Sequence, residues 1–306
     1  MSKLISMRQR IKAIETIKKV THTMQMISMS THTKLKKKQT HLTLYVEAIK
    51  QVYKKTVYNQ TINEQAIDKK IPDKHQNSNS SETEKNNQTK LILLIVVGSQ
   101  KGLCGNFNNQ LFHHINADSY LANNHDKIAC ITIGQKAINE IKIRTSLTPI
   151  LTFDQFTYNT YPTITENIME HINSTVPAYT EIVIWNNKPK TFFIQKPHAT
   201  FLLSAEHATE TIALDTDVSL NNKNIDSYMT EQPTDEIINF LKKQFCEAQL
   251  EMLLFESLLA EQAARFVSMD SATRNAKNML DDLTLQFNKI RQAKITKELT
   301  ELIGSF

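Results

Sequence analysis

No glycine occurs before Gly98, and every proline lies between Pro72 and Pro233. Residues 1–71 and 234–303 therefore contain neither of the two residues that most readily end a helix. Both stretches are rich in Lys, Glu, Gln, Leu, Ala and Met, the strong helix formers. Apolar residues recur at Leu4, Met7, Ile11, Ile14, Ile17, Val20, Met24 and Ile27, then at Leu35, Leu42, Val46, Ile49 and Tyr53. The second stretch repeats the pattern at Ile238, Leu241, Phe245, Met252, Phe255, Leu259, Ala263 and Phe266, and continues it through Met279, Leu283, Phe287, Ile290, Leu299 and Leu302. Steps of three, four and seven mark one helical face, and two such ridges predict a coiled coil formed by the two ends of the chain. Seventy helical residues reach roughly 100 Å, so part of the rod must project beyond any globular part.

The middle has a different grammar. The segment SNSSETEKNNQT, near residues 78–89, carries no apolar anchor and reads as a linker. Short β-type runs follow at Leu91–Val97, Ile128–Ile133, Glu181–Trp185, Thr191–Gln195 and Thr200–Ser204, with amphipathic stretches near 105–122, 134–143 and 163–176. Alternating strands and helices predict an open α/β sheet. LILLIVV is apolar throughout, as a central strand covered on both faces requires. The expected organisation is a coiled-coil helix over 1–71, a polar linker over 72–90, an inserted α/β domain over 91–232 and a second coiled-coil helix over 233–306.

Charge and cysteine usage narrow the function. Residues 1–54 carry twelve Lys or Arg against two acids, whereas residues 234–306 carry nine bases against eleven acids. A basic segment of that strength implies an acidic partner, whether phosphate, anionic membrane surface or acidic protein loops. Cys104, Cys130 and Cys246 form no CxxC pair, which argues against a disulfide framework or a zinc site and fits a reducing compartment. The longest apolar run, Leu91–Val97, is far short of the roughly 20 residues of a membrane span. Charges at Lys3, Arg8, Arg10, Lys12 and Glu15 interrupt any signal-peptide core, so the expectation is a soluble, intracellular chain.

The glycine-rich segment GSQKGLCGNF is the one place that invites chemistry. A P-loop needs GxxxxGK followed by Ser or Thr, with the lysine reaching the outer phosphates and the hydroxyl holding magnesium. Gly98, Gly102 and Gly105 give GxxxGxxG instead, and the GxGxxG dinucleotide fingerprint is missing as well. The alternative is that the glycines let a tight turn leave the strand and let backbones approach closely. No HExxH or GxSxG motif occurs, and His113 and His114 are adjacent, so on a helix they diverge by about 100°. The run Lys34, Lys36, Lys37 and Lys38 lacks the interleaved aromatics of a single-strand nucleic-acid platform. From the residues alone, the chain reads as a long coiled coil bearing an α/β domain with no catalytic, cofactor or metal site in view.

Three stretches resemble the gamma subunit of F-type ATP synthases, the central-stalk rotor of that complex. MRQRIKAIETIKKVTHTMQMISMSTHTKLKKKQ is similar to the family's opening helix, of the form RIxSIxxTxKITxAMxMVAxxKxxKAQ. GSQKGLCGNFNNQLF is similar to its STDxGLCGxxN segment, and residues 256–306 are similar to its C-terminal ESxASExAARMxAMxxATxNAxxLIxxLxLxYNxxRQAxITxELxEIVxG ending. The resemblance implies a non-catalytic subunit without cofactor or metal, an antiparallel coiled coil with a Rossmann-like insertion, and partners in the alpha, beta and epsilon subunits and the c-ring. It implies no nucleic-acid partner, and membrane association only through the complex, on the cytoplasmic face of a bacterial inner membrane. By motif position, Arg265, Arg291, Gln292, Thr296, Glu298 and Glu301 are expected to make coupling contacts with the catalytic subunits. Met24 is expected to face them from the opposite helix, with Lys18 and Lys19 adding positive charge. Gly98, Gln100, Gly102, Cys104 and Gly105 form the α/β-domain turn, with Cys104 as small buried filler. Gln100 stands where relatives place an aspartate, and Gly98-Ser99 where they place Ser-Thr. The competing readings are an α/β nucleotide-binding enzyme with a coiled-coil oligomerisation arm, and a basic coiled-coil nucleic-acid binder.

Overall fold

A computed structural model describes residues 2–68, 91–118, 127–145, 147–176, 178–204 and 234–305. Two long helices dominate: α1, Ser2–Asp68, and α5, Thr234–Gly304. Between them lie β1 (Ile92–Val97), α2 (Phe107–Ala117), β2 (Ile128–Ile133), α3 (Gln135–Arg144), β3 (Pro149–Phe153), α4 (Tyr161–Ser174), β4 (Glu181–Pro189) and β5 (Gln195–Ser204). The linker expected over 72–90 and the stretch 205–233 lie outside the described residues.

The two helices run antiparallel, in a register fixed by cross-helix contacts. Tyr53 stacks on Phe245, the Gln25 amide donates to the Asp270 carboxylate at 2.9 Å, Thr273 donates to Thr21 at 2.9 Å, and the Arg8 guanidinium lies over the Phe287 ring. The seam on α1 is a strict alternation of three and four: Leu4, Met7, Ile11, Ile14, Lys18, Thr21, Gln25, Ser28, His32, Leu35, Gln39, Leu42, Val46, Ile49 and Tyr53 are all buried or half-buried. This corrects the apolar stripe expected from the sequence. Ile17, Val20 and Ile27 are more than half exposed, one residue out of step with the seam and therefore about 100° around the helix. Of the polar residues in the seam at that level, Thr21 and Gln25 find partners across it, and Ser28 donates back to the Met24 carbonyl at 2.8 Å.

The sheet has the order β3-β2-β1-β4-β5; all neighbours are parallel except the β4–β5 pair. β1 is central and fully buried, because alternate residues serve opposite cores. Ile92, Leu94 and Val96 pack with Leu111, Phe112 and Ile115 of α2 and Ala137 and Ile141 of α3. Leu93, Ile95 and Val97 pack with Ile164 and Ile168 of α4 and with Leu250, Leu253, Leu254 and Phe255 of α5. The long helix is thus one layer of the α/β domain as well as half of the rod. Two strand assignments differ from expectation. β3 is an edge strand that opens on Pro149, where the missing N–H costs no ladder bond, and its alternating half-buried pattern is too short to read by period alone. Thr191–Gln195 is the hairpin turn between β4 and β5, closed by the Lys190 and Thr191 N–H groups donating to the Ile194 carbonyl.

Candidate functional site

Strand order reverses across β1: its chain neighbours lie on one side and β4 on the other. In doubly wound sheets the crevice beyond the carboxyl ends of the strands at such a point is where ligands bind. The GSQKGLCG turn leaves β1 at that place. Ser99 and Asn108 clamp its start, the Asn108 Oδ1 accepting from the Ser99 N–H at 3.0 Å and its Nδ2 donating to the Ser99 Oγ at 2.8 Å. The Gly98 N–H donates to the Ile133 carbonyl at 2.9 Å, and Lys136 N–H donates to the Ser99 carbonyl at 3.1 Å, so the turns after β1 and β2 lie side by side. A Cβ on Gly98 would stand 2.7 Å from the Ala137 Cβ, which is the close approach that requires glycine there. The expected turn residues are thus brought together.

The turn does hold an anion, and the anion belongs to the chain. Glu261 and Arg265, one turn apart on α5, form an ion pair with 3% and 6% of their surfaces exposed. The Glu261 carboxylate accepts from the Gln100 N–H at 3.4 Å and from the Lys101 N–H. The Arg265 guanidinium donates to the carbonyls of Gly102 and Lys101, each at 3.4 Å. Burial pushes the Glu261 carboxyl above its ordinary value; the guanidinium and the two loop N–H groups oppose that shift. Held at both ends, the loop puts Leu103 in the left-handed region, φ 66°, where a leucine stays only under constraint. Gln100 enters through its backbone, so the departure from aspartate leaves this contact intact. Burial also pushes the Cys104 thiol up, away from the thiolate a nucleophile needs.

The sequence pointed to Arg265 as a contact with another subunit; the structure places its guanidinium inside, with its donors turned on its own chain. The other expected coupling residues lie elsewhere. Met24 and Lys18 are half-buried on α1, and Lys19 is exposed. Met24 sits at the level of Asp270, as the neighbouring Gln25 contact shows, whereas Arg291 lies about 30 Å further along α5. Met24 therefore faces the Arg265 end of the expected set rather than all of it. Arg291, Gln292, Thr296, Glu298 and Glu301 are exposed on the last turns of α5; the register places Arg291 and Gln292 level with the first turn of α1 and the other three beyond it. Their contacts there are local: Lys294–Glu298 at 3.3 Å, Lys297–Glu301 at 3.6 Å, and the Thr296 hydroxyl to the Gln292 carbonyl at 3.0 Å.

Glu261 was missed by sequence reasoning, though a signal existed. In LLAEQAARF an acid and a base four apart interrupt an otherwise apolar run, the spacing of a helical ion pair on a buried face. Asn186 and Asn187 were also missed; their amides donate to the Leu253 and Phe107 carbonyls, each at 3.1 Å, and both are buried.

Another carboxyl on the same helix predicts a pH effect. The Glu256 Oε2 is buried without a hydrogen-bond partner, and burial pushes the group above its ordinary value against the pull of Lys188 and Lys36. The folded state then binds this proton more tightly than the unfolded chain does. The stability this group contributes is fully present below the ordinary glutamate value and is lost as pH rises through the elevated one. Thermal unfolding followed from about pH 4 to about pH 8 should therefore show a shallower decline for Glu256→Gln than for the wild type. Parallel curves would mean that the carboxyl is hydrated.

A rod of two antiparallel helices, carrying an α/β domain whose glycine turn is held by the rod itself, defines a mechanical, stalk-type protein. Among the described residues no helix is long and apolar enough to cross a membrane. Comparison with known proteins gives the family: the model described as ATP synthase matches residues 3–306, and the chain belongs to that family, in the line of its non-catalytic gamma chains. It is 29% identical over 311 residues to the ATP synthase gamma chain of Rickettsia bellii (strain RML369-C), covering 99% of this chain and 98% of the relative. It is 27% identical over 310 residues to the ATP synthase gamma chain of Clostridium botulinum (strain Eklund 17B / Type B), covering 98% and 96%. Among solved structures, a chain of the Euglena gracilis mitochondrial ATP synthase matches with a TM-score of 0.51 at 18% identity, covering 90% of this chain and 93% of that one. A chain from the central stalk and c-ring of the Tetrahymena thermophila mitochondrial ATP synthase matches with a TM-score of 0.50 at 17% identity, covering 83% and 99%. These two likenesses concern the fold.

Proposed function

We propose that the chain is the rotor of an F-type ATP synthase. In this reading it couples ion flow through a membrane c-ring to ATP synthesis or hydrolysis at a ring of alpha and beta subunits. The observation that carries it is the gripped turn: the loop backbone on which an α/β enzyme would take a nucleotide phosphate is bonded instead to Glu261 and Arg265 of α5, while the N-terminal part of α1 and the C-terminal part of α5 pair with each other as a rod. An asymmetric rod meets each of three catalytic sites differently, and it can bias a site only through differential contact energy. Moving one site from 1:99 to 99:1 takes about 5.5 kcal/mol, so many weak contacts must act together. The outward apolar face at Ile17, Val20 and Ile27, all more than half exposed, supports such contacts. So do the neighbouring Met24, Lys18 and Lys19, and the exposed C-terminal turns of α5 bearing Arg291, Gln292, Thr296, Glu298 and Glu301. In the same reading the α/β domain, expected over residues 91–232, would meet the epsilon subunit and the c-ring, and the chain would lie peripherally on the cytoplasmic face of a bacterial plasma membrane.

The test is purification of the chain from its own membranes. Recovery with the alpha, beta, epsilon and c subunits is expected; recovery alone, or saturable ATP binding by the isolated chain, would favour an enzyme. In the same preparation Met24→Lys should retain ATP hydrolysis but transport fewer ions per ATP, because a charge enters the apolar face beside Ile27. An unchanged ratio removes Met24 from the coupling set.

A further inference from the structure

The apolar contact between sheet and α5 is extensive, but hydrophobic contact is non-directional and tolerates sliding of one surface on another. Directional contacts add a fixed rotational setting; the Asn186 amide of β4 donating to the Leu253 carbonyl supplies one inside the sheet layer, and the loop after β1 needs its own. The Glu261–Arg265 pair meets that need: its carboxylate takes N–H groups of Gln100 and Lys101, and its guanidinium takes carbonyls of Lys101 and Gly102. Every donor and acceptor on the loop side is backbone, so the pair reads loop shape rather than loop side chains. Buried ion pairs contribute little net stability compared with apolar packing, and setting register is their best-attested use. We propose that Glu261 and Arg265 are positioning residues that lock α5 to the α/β domain, so that rod and domain turn as one body and torque is not lost at the joint. The inference rests on the rotor reading.

A covalent staple can stand in for the latch. A Cβ on Gly105 would lie 3.7 Å from the Ser268 Cβ, within the range a disulfide spans. The experiment uses the whole membrane complex in a Cys104→Ser background, with Gly105→Cys and Ser268→Cys singly as controls. Complexes carrying Glu261→Gln should hydrolyse ATP while transporting fewer ions per ATP. Adding Gly105→Cys and Ser268→Cys should restore the ratio when the pair is oxidised, and reductant should abolish the gain. An ion-to-ATP ratio equal to wild type in Glu261→Gln, even with a lowered melting temperature, would make the pair merely structural and overturn the proposal. A staple whose oxidation leaves the deficit unchanged would do the same. If Glu261→Gln does not assemble, the triple variant is assembled oxidised and then reduced: loss of transport on reduction supports the latch, and unchanged transport refutes it. A wild-type chain absent from the complex would refute the rotor reading instead.

Discussion

Replacing Arg265 with alanine is expected to destabilise the chain by about 3–5 kcal/mol, because it strands the Glu261 carboxylate at 3% exposure without its counter-ion. The loss is the cost of an uncompensated buried charge rather than the worth of the pair. The double variant Glu261→Met/Arg265→Met should therefore recover much of it. Recovery should be incomplete: the N–H groups of Gln100 and Lys101 lose their acceptor, and unpaired buried groups cost about 1–3 kcal/mol each. Chemical denaturation of wild type, the two single variants and the double variant forms a closed cycle that separates these contributions. A cost for Arg265→Ala below about 1 kcal/mol would show that water reaches Glu261.

The second large effect is expected at Gly134, the first residue after β2. Its φ is 95°, outside the range side chains favour, and an added Cβ would stand 2.6 Å from the Gly98 carbonyl oxygen and 2.9 Å from that of Ser99. Both obstacles are backbone atoms held by other bonds. The Gly98 N–H is fixed to Ile133 and the Ser99 carbonyl accepts from Lys136, so neither can swing aside as a side chain would. Strain of about 1–3 kcal/mol for the conformation adds to a similar amount for overpacking. Gly134→Ala should lower the denaturation midpoint by several kcal/mol equivalent and should loosen the neighbouring loop. Faster amide exchange at Ser99, Gln100 and Lys101 is the measurement that localises the damage, since the same clash displaces the Gly98–Ser99 carbonyls. A stability within about 0.5 kcal/mol of wild type would mean the two loops can separate at little cost.

Much of the architecture was legible before any coordinates. The absence of Gly and Pro over 1–71 and 234–303 is realised in helices reaching from Ser2 to Asp68 and from Thr234 to Gly304. LILLIVV lies at the centre of the sheet, buried on both sides. The seam was harder to read. The eye follows Ile17, Val20, Met24 and Ile27, yet the packed residues are Lys18, Thr21, Gln25 and Ser28. A shift of one position separates the two faces, and two of the polar seam residues, Gln25 and Thr21, are satisfied by partners about 250 positions away, at Asp270 and Thr273. The glycine turn shows the same limit. Its spacing excluded a P-loop, but nothing near residues 98–105 announces that Glu261 supplies the anion.

The sequence by itself therefore determined the helices, their great length, the α/β insertion and the family motifs. These depend on local propensity, on period and on the absence of breakers, all of which are written within a few turns of chain. Only the tertiary structure decided which stripe becomes the seam, that the loop at the strand-order reversal is held by the rod, and that Arg265 turns inward. Those outcomes depend on contacts between residues some 160 to 250 positions apart. A polar side chain's preference for burial or exposure is undetermined until the partner that satisfies its hydrogen bonds has been brought beside it.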